Sequence, residues 1–336
     1  MSAHMSAIIC DAHGTLSLGT RPVPRFPEQA PRALAKVRIK AFGVNRADLL
    51  QRAGHYPPPA GVSAEILGLE FSGVIEEITY YDHLTEPVDD QLSVGHRVMG
   101  ICSGAAYAEY IITPLEQLLP IPQALSTVQA AALPEAYLTA FDALCTRGQL
   151  SPQDRVLIHA IGSGVGVAAA HLAHYLGAEV IGTTRSPWKK KRALQELPVR
   201  DVWIAQEGQW GQRDSRFNVI VDFIGAAYLK QNLKHLTTQG RLVVVGLLGG
   251  IRAEINLGLL LAKRAQIIGT VLRSRDVTEK IMLTQKFRRE VLPAFECAEL
   301  PAPIVSETFD AQRVEAAHDQ LANNKTWSKL VCVWDV

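Results

Sequence analysis

The chain of 336 residues has few cysteines, few aromatics and no excess of either charge. Its five cysteines, Cys10, Cys102, Cys145, Cys297 and Cys332, include no pair spaced for a CxxC metal or redox motif. An odd count without such a pair fits a reducing compartment better than a disulfide framework, so a cytoplasmic setting is expected. Lys and Arg number 34 against 33 Asp and Glu, a net charge of +1. That balance removes the electrostatic case for a dedicated nucleic-acid binder or a polybasic membrane protein. No apolar run reaches about 18 residues without a charge or a breaker, so no membrane span is expected. The opening residues lack a basic segment followed by an apolar run, so no secretory signal is read there. No internal repeat or low-complexity stretch is present.

Apolar residues are abundant, at 48%, and the length suggests about two domains. Residues 1 to about 130 carry many Pro and Gly residues and short β-branched runs such as Val37-Arg38-Ile39 and Tyr110-Ile111-Ile112, which reads as a β-rich, loop-rich domain. Pro57, Pro58 and Pro59 form a stiff loop ended by Gly61, and the acidic 80–90 stretch reads as a surface loop. From about 130 to 275, short apolar runs alternate with helix-length segments. Strands are expected at Val156-Leu157-Ile158, Val180-Ile181, Val219-Ile220-Val221 and Leu242-Val243-Val244-Val245, and helices over 165–176, 188–197 and 228–236. Strand–helix alternation with continuously apolar strands predicts a parallel sheet covered on both faces, a doubly wound α/β unit. The tail, with a helix over 311–323 and a strand over 330–333, is compatible with either domain.

The sharpest local signal is Ile158-His159-Ala160-Ile161-Gly162-Ser163-Gly164-Val165-Gly166, between a strand and a helix. Glycines there let the backbone approach a pyrophosphate, and the helix N-terminus supplies free N–H groups. Read from Gly162 the pattern is GxGxG rather than a full GxGxxG, so the strand–turn–helix context carries the dinucleotide reading. An NAD site places an acid at the end of the second strand, for the ribose 2′-OH. Here that strand ends Gly182-Thr183-Thr184-Arg185-Ser186, followed by Lys189, Lys190 and Lys191, with no carboxylate. Cations and hydroxyls in that place suit a 2′-phosphate, so NADPH is the expected cofactor; the plainer reading is a solvated basic helix face.

Several motifs together resemble one family. Asn45-Arg46-Ala47-Asp48, Gly54-His55-Tyr56-Pro57-Pro58-Pro59, Leu67-Gly68-Leu69-Glu70 with Gly73, Pro134-Glu135-Ala136-Tyr137-Leu138-Thr139-Ala140 and Leu272-Arg273-Ser274-Arg275-Asp276 are similar to the zinc-independent quinone oxidoreductase (zeta-crystallin-like) branch of the medium-chain dehydrogenase/reductases. The combination is most similar to the tumour-suppressor-inducible quinone oxidoreductases. The resemblance runs from about residue 37 to 333. It implies a Rossmann domain over 134–280 inserted in a GroES-like β-barrel domain made of 1–133 and 281–336. It also implies NADPH bound in the interdomain cleft, a quinone or related enone as substrate, and a homodimer formed through a Rossmann edge at about 266–271. Zinc-dependent relatives carry a Cys at or near position 45 and a His before the glutamate; Leu69 precedes Glu70 here, and no metal is expected. His171 and His174 are read as packing or surface residues.

By the same resemblance Asn45, Asp48 and Tyr56 line the slot beside the nicotinamide. Tyr56 is a donor or stacking wall for the quinone, or else a cover for the proline loop. Asp48 fixes geometry rather than acting as a base, and Asn45 either lines the slot or satisfies backbone groups. The cofactor contacts implied are Thr139, Ser163, Gly164, Val165, Gly166, Thr184, Arg185, Lys189, Gly246, Leu247, Leu272, Arg273 and Lys329. Arg275 and Lys329 are phosphate or cleft-closing contacts, or plain surface charges. Gly246 is expected to clear space for the ligand. Three positions depart from the family pattern: Ser163 replaces a glycine, Ala205 a tyrosine near the 2′-phosphate and Leu50 a tyrosine of the slot. The expected activity is metal-free hydride transfer from NADPH to a quinone. The alternatives are an enone or alkenal double-bond reductase and a non-enzymatic NADPH-binding redox sensor.

Overall fold

Strand β3 (Leu34–Val44) shows how the first unit is built. Ala35, Val37 and Ile39 are buried, while Lys36, Arg38 and Lys40 alternate with them on the other side. That period of two gives a strand with one face on the core. Strand β4 (Glu70–Thr79) pairs with it antiparallel, so Lys36 meets Glu77 and Arg38 lies 3.7 Å from Glu76. These exposed pairs tune register more than stability.

The protein is described from a computed structural model over residues 4–81, 92–206, 210–211 and 215–334. The 80–90 segment, read above as a loop, lies outside the described residues apart from Tyr80 and Tyr81. The chain divides into two units, Met1–Glu135 with Leu272–Val336, and Ala136–Val271.

In the first unit a hairpin of β1 (His4–Cys10) and β2 (Leu16–Pro22) stands beside a seven-stranded sheet. That sheet adds β5 (Arg97–Ile101), β6 (Tyr110–Pro114), β7 (Leu118–Pro120), β14 (Val305–Asp310) and β15 (Lys329–Val333) to β3 and β4. Its order is β14-β15-β3-β4-β5-β7, with β6 also on β3. The tail thus returns to the first unit: β15 pairs antiparallel with β3. Phe42, Phe71, Tyr107 and Leu67 fill the core, and the Phe42 and Tyr107 rings sit 4.4 Å apart. Helices α1 (Arg46–Arg52), α2 (Thr127–Ala131), α8 (Val277–Glu290), α9 (Leu292–Glu296) and α10 (Val314–Ala322) complete it. Helix α3 (Pro134–Phe141) carries the chain into the second unit.

The second unit is the expected doubly wound α/β sheet. Its strands are β8 (Arg155–Ile158), β9 (Glu179–Thr184), β10 (Asp201–Ile204), β11 (Phe217–Asp222), β12 (Leu236–Val244) and β13 (Gln266–Gly269). All pair parallel in the order β10-β9-β8-β11-β12-β13. The order reverses between β8 and β11, where a sheet of this kind opens a crevice at the strand carboxyl ends. Helices α4 (Gly164–Tyr175), α5 (Pro187–Glu196), α6 (Ala226–His235) and α7 (Leu257–Lys263) connect the strands. The first three lie within a residue or two of the segments expected from the sequence. His171 is buried and His174 exposed, a packing and a surface residue respectively.

The exchange points expected at 133/134 and 280/281 fall at Glu135/Ala136 and Val271/Leu272. The 272–280 segment therefore belongs with the first unit rather than with the Rossmann unit. The reason is local: Arg273 donates to the Ser103 and Tyr56 carbonyls and to Gln51, and Lys280 donates to Ser103 Oγ. Among the described residues no helix is long and apolar enough to cross a membrane.

Candidate active site

At the carboxyl end of β8 the chain turns sharply into α4. Ala160 takes a left-handed conformation (φ 48°) at that turn, an uncommon backbone for a residue with a Cβ. Ser163, which breaks the glycine pattern, caps the helix: its Oγ accepts the Gly166 N–H at 3.0 Å. A Cβ on Gly166 would lie 2.5 Å from the Ala160 carbonyl oxygen, so glycine is required for the helix to close on the turn. Ser163, Gly164 and Val165 remain partly exposed at the helix start, where free N–H groups and the dipole favour an anion.

Thr184 ends β9 buried, and its hydroxyl accepts the Ser186 N–H. Arg185 follows, exposed and without a hydrogen-bond or ion-pair partner among the described residues. The Lys189 ammonium lies 5.3 Å from the Trp188 ring centroid. Ala205 is buried in the core of this unit. Thr139 is buried with an Oγ that has no partner, an open polar atom suited to a ligand. Leu247 is exposed. Gly246 was expected to make room for a ligand; a Cβ there would come 3.0 Å from the Phe223 carbonyl oxygen, so the loop after β11 is tight against it as well. The free helix N-terminus, the open Thr139 hydroxyl and the unpaired Arg185 together fit a phosphorylated dinucleotide.

The first unit holds a buried charged cluster. Glu70, fully buried at the start of β4, accepts from Lys329 Nζ and from Asn45 Nδ2 on Oε1, and from the Glu135 N–H on Oε2. Lys329 Nζ also donates to Asn45 Oδ1 and the Val44 carbonyl. A Cβ on Gly43 would fall 2.2 Å from Glu70 Oε1, so this glycine admits the carboxylate. Asp48 closes a capping box with Asn45 at the start of α1 and accepts from the Tyr107 hydroxyl at 3.1 Å. The Tyr107 oxygen lies 3.0 Å from His318 Nε2. Asp48 Oδ1 has no partner. Burial pushes the Asp48 carboxyl up to about 6, against the pull of the Asn45 N–H, the Tyr107 hydroxyl and Lys329.

Tyr56 is half-buried, and its ring stacks on the Arg273 guanidinium at 5.0 Å. Asn45, Asp48 and Tyr56 all belong to the first unit, and Asn45 and Asp48 are in direct contact. One expected cofactor residue, Lys329, is placed otherwise, whereas Leu272 and Arg273 were implied as contacts through their backbone, which their buried side chains leave open. Lys329 is neither a surface charge nor a free phosphate contact: it is buried, with its ammonium committed to Glu70, Asn45 and Val44. Arg273 is buried and anchors the Tyr56 loop, and Leu272 beside it is buried as well.

Sequence reasoning quoted Glu70 and Glu135 only as parts of motifs and gave neither a role. Tyr107 and His318 carried no local signal. Burial first, and then the Glu70 charge, push the Glu135 carboxyl up to about 8, although the residue is partly exposed. Catalytic zinc needs about three converging N, S or O ligands. Among the described residues no group of three His, Cys, Asp or Glu side chains could hold a metal ion, and the Lys329 ammonium already lies on Glu70. The donor set does not fit zinc.

A parallel dinucleotide-type sheet and a β-rich unit with a buried polar cluster define a two-domain oxidoreductase. Residues 32–123 match the alcohol dehydrogenase GroES-like domain, and residues 164–286 match the zinc-binding dehydrogenase family. Quinone oxidoreductase-like protein 2 of Mus musculus is 33% identical over 259 residues, covering 72% of this chain and 70% of that protein. The homologue of that protein from Nematostella vectensis is 28% identical over 332 residues, 96% of this chain and 85% of that one. A crystal structure of an NAD-dependent alcohol dehydrogenase superposes with a TM-score of 0.80 at 25% identity, covering 98% of this chain and 99% of that one. The chain belongs to the zinc-independent quinone oxidoreductase branch of the medium-chain dehydrogenase/reductase superfamily. It is an oxidoreductase of a family that binds a nicotinamide cofactor.

Proposed function

We propose that the protein is an NADPH-dependent quinone reductase that works without a metal. The observation that carries the cofactor choice is the end of β9, where the unpaired, exposed Arg185 stands in place of an acid. Membership of the quinone oxidoreductase branch supports the substrate class. NADPH, when bound, supplies a hydride.

The chain's own residues bind, orient and exclude water. Ser163, Gly164, Val165 and Gly166 present the α4 N-terminus to the pyrophosphate, with Thr139 offering a hydroxyl. Thr184, Arg185 and Lys189 hold the 2′-phosphate. Tyr56, fixed over Arg273, gives a flat wall for a planar acceptor. Asn45 and Asp48, locked by Glu70, Lys329 and Tyr107, keep the slot rigid. Hydride transfer gains most from such positioning.

An enone double-bond reductase would use the same donor, and pocket shape alone would separate the two. The test is steady-state oxidation of NADPH, and separately of NADH, by purified protein with 1,2-naphthoquinone and with an α,β-unsaturated ketone. Turnover of the quinone with NADPH is expected. Turnover of the enone alone would move the assignment to the second reading, and cofactor binding without any turnover would leave a redox sensor.

A homodimer through β13 belongs to the same proposal. This strand ends the sheet, and Leu257, Leu261, Ile267 and Val271 near it are exposed. An apolar sheet edge of this kind suits pairing with a second copy. Sedimentation equilibrium should give twice the 36.7 kDa chain mass; a monomer would refute it.

A further inference from the structure

The Glu135 carboxyl differs from the acids around it. Glu70 is engaged by Lys329, Asn45 and a backbone N–H, and Asp48 by Tyr107 and a backbone N–H. The Glu135 side chain has no hydrogen bond or ion pair among the described residues, and it is partly exposed where Glu70 and Asp48 are sealed.

The charged groups that act on it come from four other elements. Glu70 lies on β4, Asp48 on α1, Lys329 on β15 and Lys280 on α8. Tyr56, Cys102 and Arg273 also fall within electrostatic reach. The three cations in this shell are committed elsewhere: Lys329 to Glu70 and Asn45, Lys280 to Ser103, and Arg273 to Ser103, Tyr56 and Gln51. Two acids are thus close, and although the charges of Lys329 and Lys280 pull the other way, neither they nor Arg273 donate to the Glu135 carboxyl.

We propose that Glu135, the unpaired and partly exposed carboxyl beside Glu70, is the acid of this site and gives its proton to the oxygen of a bound carbonyl substrate. The role rests on the reductase reading. The substrate takes up a hydride and becomes an anion, which for a quinone is the hydroquinone monoanion. The O–H bond of Glu135 breaks, a new O–H bond forms on the substrate oxygen, and neutral hydroquinone leaves. Two electrons and one hydrogen nucleus come from the nicotinamide, which departs oxidised, and one proton comes from Glu135. Water returns that proton to the carboxylate.

The electrostatics agree with this placement. The first turn of α3 favours the carboxylate through the helix dipole, but burial and the neighbouring Glu70 act against it and prevail. An acid that titrates near the working pH is well matched to proton transfer.

The test has two readouts on the whole protein. Infrared titration of wild type against Glu135→Gln, without cofactor or substrate, should show a protonated-carboxyl band at neutral pH that is absent from the variant and half lost near pH 8. In quinone reduction, Glu135→Gln should lower kcat by about 10²-fold, remove the alkaline limb of the wild-type pH profile, and leave NADPH affinity unchanged. Absence of the band at neutral pH would overturn the proposal. So would a variant that keeps wild-type kcat and its alkaline limb. A wild type that reduces neither quinone nor enone would overturn the donor role together with the reductase reading, while the infrared band would still decide whether Glu135 holds a proton.

Discussion

Each unit buries a polar cluster, and the two are satisfied in different ways. In the second unit Thr183 Oγ lies 2.8 Å from His159 Nδ1, and Asn232 Oδ1 lies 2.7 Å from His159 Nε2. Asn232 donates in turn to Asp222, which also accepts the Ile224 and Gly225 N–H groups. Trp210 and Tyr228 pack edge-on against the His159 ring. Burial holds His159 down to about 4, so the ring is neutral and bonded at both nitrogens. In the first unit the cluster is charged, and it leaves Asp48 Oδ1 and His318 Nδ1 without partners and Glu135 unpaired and accessible. Asp222 and Asp48 are both pushed up to about 6, chiefly by burial. The shift alone therefore does not mark a reactive group; an open lone pair and access to a ligand do.

The largest break in this comparison should come from Lys329→Met. It leaves the Glu70 carboxylate buried without its cation, at a cost of about 3–5 kcal/mol in urea denaturation. Adding Glu70→Gln should recover most of the loss; no recovery would show that Lys329 acts by packing alone. Asn232→Leu comes next. It strands a His159 ring nitrogen and leaves Asp222 Oδ2 with the Gly225 N–H alone, and should cost about 1–3 kcal/mol by the same measurement.

Arg185→Ala sharpens the cofactor half of the account. Calorimetry should show NADPH binding weakened about 10- to 30-fold, or about 1.4–2 kcal/mol, with NADH little changed. Equal weakening of both would remove Arg185 from the 2′-phosphate.

The smallest effect is a pH slope. Glu135 titrates higher folded, near 8, than its ordinary 4.5, so the folded state binds the extra proton. Its contribution is complete below pH 4.5 and is lost as pH rises through 8. Tm should therefore fall more steeply between pH 4.5 and 8 in wild type than in Glu135→Gln, with the difference levelling off above pH 8; parallel curves would contradict the assignment.

The parallel sheet was legible because its signals are local. Apolar runs such as Val156-Leu157-Ile158, the glycine turn and the charged α5 each report on a window of about ten residues. The missing acid after β9 was legible for the same reason. The charged cluster was not. Lys329 meets Glu70 across 259 positions, and His318 meets Tyr107 across 211. Nothing in the local pattern distinguishes a lysine destined for a buried pair from one on the surface, and Lys329 was accordingly read as a contact or surface charge. Glu135 stood in a recognisable motif, but its unusual proton affinity comes first from burial and then from Glu70, which β4 brings beside it.

The most direct measurement is the rate of NADPH oxidation by an ortho-quinone for Asn232→Leu and Glu135→Gln, each at matched folded fraction. If the second unit's cluster is scaffold and the first unit's is chemistry, Asn232→Leu stays within about two-fold of wild type while Glu135→Gln falls about 10²-fold. Equal losses in both, or the larger loss in Asn232→Leu, would contradict the account.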